Sequence, residues 1–375
     1  MSTGSNKCTS CGTADVLLHC RCSLAHYCAL PCQRNHWSLH KVVCTVKKQV
    51  TTVETGSADY AQAKILASNG DAAGALILYE SAGVVGNADA ALSAGTAHAS
   101  GEGTAVDASA AVRWYRRAAD ANNASAQCAL GLCLLNGEGV EVDARAGAGW
   151  LARSAATGNE EASLQLGLCY ENGIGLSVDK CKAVKWYECA AEASDRETAA
   201  DAQFQLAQLL DTGEGGVELD HTRAFNLYLR AARTGHEDAI FNLGVAYLHG
   251  EGTAADPSEA VKWWKRAANE GEVMSMYNLG ICYGNGTGVI VDKIEAFKWH
   301  ARAARAKNVE ACFALGMCYE EGSGITANAK DAISWYRKAA EEGHEEAADR
   351  LHELTRMANG SVPWVVAASS AADLD

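Results

Sequence analysis

Seven cysteines and one histidine near the N-terminus fall into four short pairs: Cys8-x2-Cys11, Cys20-x-Cys22, Cys28-x3-Cys32 and His40-x3-Cys44. Thiolates and imidazoles delivered two at a time by a tight turn or one helical turn are the donors that hold zinc tetrahedrally, so eight ligands imply two Zn2+ ions. With four protein ligands on each ion, no position stays open for a catalytic water, and the metal is expected to be structural. A module of about 40 residues buries too little apolar surface to be stable alone, and metal binding would supply most of its folding free energy. One position is ambiguous. Cys20 has the usual ligand type, whereas His19 has the x2 spacing to Cys22, and the two compete for that place. Eight better-spaced ligands leave His26 and His36 as exposed residues of the module.

The rest of the chain must position this head. The chain has 375 residues, about half of them hydrophobic at 48%, which is ample for a buried core and excludes a disordered acidic tail. Alanine and glycine dominate and proline occurs three times, so packed helices are expected and all-β folds are excluded. Seven of the fifteen cysteines and six Lys/Arg against one Asp lie within residues 1–50, leaving 26 Lys/Arg and 45 Asp/Glu for the remainder. Two unlike modules are therefore joined near residue 50. The segment Met1–Cys11 is polar, and the late apolar stretch around Val362–Ala368 is far too short for a membrane span. The expectation is a soluble protein of the cytoplasm and/or nucleus with reduced or metal-bound thiols.

The run Tyr27-Cys28-x3-Cys32-Gln33-x3-Trp37-x2-His40-x3-Cys44 resembles the MYND-type zinc finger over residues 8–44. The resemblance implies interleaved ligand pairs, with Cys8, Cys11, Cys28 and Cys32 on one zinc and Cys20, Cys22, His40 and Cys44 on the other. The chain departs from that family at the second pair, which is usually C-x2-C. The resemblance also implies a protein-interaction module in which Gln33 and Trp37 contribute to a shallow groove for short proline-containing peptides. An aromatic face beside an amide suits an extended proline peptide, although Trp37 would serve equally well as packing for so small a core.

From residue 59 the sequence repeats. Anchors at Gly95, Gly131, Gly167, Ala207, Gly244, Gly280 and Gly316 define seven units, with intervals of 36 residues except for 40 and 37 around Ala207. Six and eight residues after each anchor come glycines, as in Gly101/Gly103 and Gly250/Gly252, and an Asp such as Asp107, Asp143, Asp179, Asp256 or Asp292 follows four later. Glycine ends a helix in the left-handed conformation and Asp caps the next one, so each unit reads as helix, glycine turn, helix. The second helix carries a buried-stripe pattern of small residues and an aromatic pair, as in Ala183, Trp186, Tyr187, Ala190 and Ala191 or Ala332, Trp335, Tyr336, Ala339 and Ala340. Small residues at the anchor and five before it let the paired helices approach closely. Cys133, Cys169, Cys282 and Cys318 stand two residues after anchors, where Ala97 and Ala246 stand in other units, and read as small apolar fillers.

Runs such as Leu243-Gly244-x2-Tyr247-x2-Gly250-x-Gly252 and Ala296-x2-Trp299-x3-Ala303-Ala304 resemble the Sel-1-like repeat, a relative of the tetratricopeptide repeat. The expected fold is all-α: an α/α solenoid of such repeats over residues 59–358, preceded by the two-zinc finger at 8–44 and a linker at 45–58. Residues 59–87 read as a degenerate first unit, Glu345–Met357 as a closing helix, and 359–375 as a flexible tail. A scaffold of this kind offers an extended concave surface, on which Gln165, Gln205, Asn242 and Asn278, each two residues before an anchor, would form a ladder of amides for a peptide backbone. Bonds from those amides to neighbouring helix ends or water are the simpler alternative.

These features point to a non-enzymatic adaptor whose partners are proteins or peptides, with no small-molecule substrate and no membrane insertion. The acidic array argues against nucleic acid. An accessory, substrate-recruiting subunit in ubiquitin-dependent degradation is a special case of this reading. A SET-type lysine methyltransferase, in which MYND fingers also occur, needs a β-rich domain for which the repeats leave no room.

Overall fold

The computed structural model describes residues 56–359, together with the backbone of two short strands nearer the N-terminus. Strand β1 (Leu18–His19) pairs antiparallel with β2 (His26–Tyr27), setting Leu18 opposite Tyr27 and His19 opposite His26. All else described is helical. The order is α1 (residues 56–68), α2 (Ala72–Val84), α3 (Ala88–Ser100), α4 (Ala108–Asp120), α5 (Ala124–Asn136), α6 (Ala144–Ala155), α7 (Glu160–Asn172), α8 (Lys180–Ala190), α9 (Arg196–Thr212), α10 (His221–Thr234), α11 (Glu237–His249), α12 (Pro257–Glu270), α13 (Val273–Asn285), α14 (Lys293–Arg305), α15 (Val309–Glu321), α16 (Ala329–Glu341) and α17 (Glu345–Asn359), with one short 3-10 turn at Glu214–Gly216. Helix α1 already runs at residue 56, so the helical part reaches back into the stretch 45–58 that reads as a linker from the sequence.

The chain divides into two compact units, one comprising the residues up to Ala162 with Ile174–Leu176, the other Ser163–Gly173 with the residues from Ser177 onward. Within each, the same local logic recurs. Odd-numbered helices from α3 to α15 carry the anchors, and even-numbered helices from α4 to α16 carry the aromatic stripe, with α2 as the degenerate stripe helix of the first unit. Anchor helices pack against the stripe helix that follows, as in α3 with α4, α5 with α6 and α13 with α14, and stripe helices pack against the next anchor helix, as in α4 with α5 and α14 with α15.

The pairing is close because the contact residues are small. Five residues before each anchor stand Ala90, Ala126, Ala162, Ala202, Ala239, Ser275 and Ala311, all fully buried. The residue after the first aromatic packs on the anchor of its own repeat: a Cβ built on Gly95 would meet the Tyr115 ring at 2.6 Å, one on Gly316 the Tyr336 ring at 2.6 Å, and one on Gly131 the Leu151 side chain at 2.9 Å. Gly244 faces Trp264 and Gly280 faces His300 in the same way. The first aromatic of the pair is half-buried and reaches back to the preceding repeat, as Trp114 does to Gly83. The fourth repeat alone carries Ala at its anchor. Its aromatic, Tyr228, stands one residue further along because the turn holds an extra glycine, Gly216.

Helix ends are tied by side chains. Asp107, Asp143, Asp179, Asp220, Asp256 and Asp292 cap α4, α6, α8, α10, α12 and α14, and Asn328 caps α16. Caps of this kind are worth about 0.5–2 kcal/mol each. The first glycine of each turn is the left-handed C-cap of the anchor helix, for instance Gly250 at φ 77°. The second glycine has a separate role that the turn pattern does not reveal. Cβ atoms on Gly103, Gly139, Gly175, Gly252, Gly288 and Gly324 would collide with the backbone carbonyls of Ala72, Ala108, Ala144, His221, Pro257 and Lys293, at the start of the preceding stripe helix. The second glycine thus joins one repeat to the one before it.

Candidate functional site

Exposure along the anchor helices is periodic. In α13, Met274, Ile281 and Asn285, which stand six before, one after and five after the anchor, are exposed, whereas Ser275, Leu279, Gly280 and Cys282 are buried. Residues two before the anchor border that exposed stripe. Gln165, Gln205, Asn242 and Asn278 are all half-buried there, on α7, α9, α11 and α13. Asn242 shares a hydrogen bond with the Tyr228 hydroxyl. Gln165 also has a partner within the fold.

Stripe helices are held to one another by their cations. Arg117 donates through Nε to the Gly83 carbonyl at 2.8 Å and through Nη2 to Val84 at 2.6 Å, and Arg302 donates to the Ala268 carbonyl at 2.9 Å. Each acceptor belongs to the C-terminal turn of the preceding stripe helix, where carbonyls lack partners within the helix. Arg153 lies over Trp150 at 4.4 Å, Arg302 over Trp299 at 4.3 Å and Lys338 over Trp335 at 3.6 Å. These cations are engaged within the fold.

Two histidines form a device the repeat pattern does not announce. His236 and His344 cap α11 and α17: Nδ1 accepts from the Ala239 amide at 3.2 Å and from the Ala347 amide at 3.1 Å. The rings stack on Phe204 and Phe313 at 4.5 and 4.4 Å, and Nε2 faces Asp201 at 3.5 Å and Glu310 at 3.4 Å. An accepting Nδ1 requires the hydrogen on Nε2, so the caps hold one neutral tautomer.

The filler cysteines behave as expected. Cys133, Cys169 and Cys282 are buried and Cys318 is half-buried, none in a disulfide. Cys128 and Cys312 are buried as well, while Cys181 and Cys189 are exposed. Among the described residues no group of three or more His, Cys, Asp and Glu side chains could hold a metal ion, and no helix is long and apolar enough to cross a membrane. The residues expected to ligate zinc, Cys8, Cys11, Cys20, Cys22, Cys28, Cys32, His40 and Cys44, with Gln33 and Trp37, lie outside the residues whose side chains are described. Their donor set, seven thiolates and one imidazole in pairs, is that of a closed zinc site.

Small cavities open between successive anchor helices, where the stripe helix forms the floor. One of about 280 Å³ lies above α2 beside Tyr79 and Leu92, and another of about 290 Å³ above α14 beside His300. In the sequence, His300 stands where five other repeats have Tyr or Trp and the second has Leu151, and Gly284 stands where Glu171, Asp211 and Glu320 do in three repeats and Ala99, Leu135 and Leu248 in the others.

Helix pairs tied carbonyl to cation and glycine to carbonyl, behind a cysteine-rich head, define a helical-repeat interaction protein carrying a small zinc finger. The Sel1 repeat profile matches residues 88–123, 124–159, 160–195, 200–236, 237–272, 273–308 and 309–344, and the chain belongs to the Sel1 repeat family. Residues 8–44 match the MYND finger, a zinc-binding domain. Among solved structures, a Sel1 repeat protein from Oxalobacter formigenes is 28% identical with a TM-score of 0.60, the match covering 82% of this chain and 87% of that one. A protective antigen of uropathogenic Escherichia coli with an SLR fold is 25% identical at TM-score 0.51, covering 80% and 72%. No curated protein matches the chain. The two families together make a protein-interaction adaptor, on a repeat fold that typically serves as a non-enzymatic scaffold.

Proposed function

We propose that the protein is an intracellular two-module adaptor that links a short peptide held by the finger to a second protein held by the repeats. The observation that carries this reading is the repeated exposed stripe of the anchor helices, bordered by half-buried amides, beside a module whose donor set suits structural zinc. Two Zn2+ ions hold the finger, with Cys8, Cys11, Cys28 and Cys32 on one and Cys22, His40 and Cys44 on the other, completed by Cys20 or His19. Gln33 and Trp37 take a proline-containing segment. Gln205 and Asn278, at the edge of the stripe, contact the backbone of the second partner. Linking two sites raises the effective concentration of one partner near the other without any new contact.

The test is affinity capture with mass spectrometry, using the full chain, a Gln33→Ala/Trp37→Ala variant and a Gln205→Ala/Asn278→Ala variant. The expected result is one set of proteins lost from the first variant and a different set lost from the second, with zinc content and helicity unchanged in both. Identical capture by all three would reject the assignment of binding to these residues.

A further inference from the structure

The acidic repeats show what the space above a stripe helix accepts. In the third repeat the Tyr187 hydroxyl donates to Glu171, four residues after the anchor, at 2.5 Å. In the fourth, the carboxylate at that place, Asp211, lies 2.8 Å from Nδ1 of His221, the first residue of the stripe helix. In the seventh, Glu320 accepts from the Tyr336 hydroxyl at 2.6 Å and pairs with Arg350. Each carboxylate is thus met by a floor aromatic, by a basic side chain, or by both.

The sixth repeat keeps the donors and lacks the carboxylate. Its floor residue is His300, 7% exposed, and the imidazole lines the cavity of about 290 Å³ with its buried Nδ1 lacking a hydrogen-bond partner among the described residues. Lys293, at the place of His221, also lines the cavity. Its ammonium donates to the Gly284 carbonyl at 2.8 Å and forms no ion pair among the described residues. Gly284 stands where the acid would be. Ile281 and Met317, 37% and 36% exposed, flank the opening. Two acidic neighbours are engaged elsewhere, Asp292 as the cap of α14 and Glu295 with Lys298 at 2.6 Å, while Glu321 lines the exposed rim of the cavity.

We propose that this cavity binds a carboxylate supplied by a partner polypeptide, held between the His300 imidazole and the Lys293 ammonium with its aliphatic stem against Ile281 and Met317. Burial keeps the imidazole neutral, so it offers one N–H to the anion while Lys293 supplies the charge. An acidic side chain and a free chain end share this chemistry. The inference rests on the adaptor reading only in drawing the carboxylate from a protein.

The test uses the full-length, zinc-loaded protein labelled with 13C at the methionine methyl groups, because Met317 reports on the cavity wall. The probes are acetyl-Ala-Glu-Ala-amide, its Gln counterpart, and acetyl-Ala-Ala-Ala with a free C-terminal carboxylate. At least one carboxylate peptide is expected to shift the Met317 resonance saturably, the Gln peptide binding at least about tenfold more weakly. The tighter of the two carboxylate peptides identifies the source. Lys293→Met should weaken binding about tenfold or more. Gly284→Glu, which supplies the acid from within the chain, should abolish binding while leaving the melting temperature equal or higher. A Gln peptide that binds as tightly as the better carboxylate peptide, no response to any peptide, or binding that survives both substitutions would overturn the proposal. Partner capture by the Gln205 and Asn278 surface is measured separately, so failure here removes this site and leaves the adaptor reading standing.

Discussion

His300 occupies a place that in five of the other six repeats belongs to a tyrosine or tryptophan, and burial pushes its pKa down to about 4. The native state therefore resists protonation that the unfolded chain accepts at its ordinary value near 6.5. Above that value the two states bind the same number of protons at this site and stability is unaffected. As pH falls from about 6.5 toward 4, the unfolded state gains the proton first, and roughly 3 kcal/mol of stability is lost. Urea midpoints compared between the full chain and His300→Gln should diverge over that window, and parallel curves would refute the assignment. Thiol chemistry at this scale follows burial in the opposite direction. The Cys128 thiol is pushed up to about 12, and those of Cys282 and Cys318 to about 11. Iodoacetamide should label Cys181 and Cys189 about tenfold faster than the other six array cysteines, read by peptide mass spectrometry.

Between elements, the two glycine roles make separable predictions. Gly244 meets the side chain of Trp264, which also donates to the Phe241 carbonyl at 3.2 Å, so Gly244→Ala forces a ring to move and should cost about 1–3 kcal/mol. Gly252 meets a backbone carbonyl that cannot turn aside, at φ 69°. Gly252→Ala should add a left-handed penalty of roughly 1–2 kcal/mol to a clash of similar size. Gly271, at φ 115° with no atom near its missing Cβ, is the control, and Gly271→Ala carries the conformational penalty alone. Urea denaturation of the three variants should rank Gly252→Ala as the most damaging. A Gly252 variant no worse than the Gly271 one would remove the glycine-to-carbonyl contact as a tie between repeats.

For the molecule as a whole, the described helices begin at residue 56, beyond Cys44, the last of the proposed zinc ligands. Repeat arrays draw their stability from neighbour contacts, which here run through glycine–carbonyl and arginine–carbonyl ties within the array itself. Helicity by circular dichroism should therefore persist after zinc is chelated, and elemental analysis of the untreated protein should give two zinc ions per chain. One zinc would reject the second ligand set, and collapse of the helical signal on chelation would contradict the independence of the modules.

The period of the anchors, the Gly-x-Gly turns, the capping aspartates and the alternation of helix types were all legible in the chain, because each is a local demand of backbone geometry repeated seven times. The anchor cysteines could likewise be read as filler, since position in a repeat fixes burial. Position did not reveal which atoms meet across repeats. That the second glycine faces a carbonyl some thirty residues earlier, that Arg117 and Arg302 satisfy the end of the preceding stripe helix, and that His236 and His344 stack on Phe204 and Phe313 all depend on contacts between segments distant in sequence. The cavity above α14 is of the same kind. Gly284 and His300 read as unrelated residues in the sequence, and only the packing of α13 against α14 and of α14 against α15 brings them and Lys293 around one space, because a side chain's surroundings are set by the helices that fold against it.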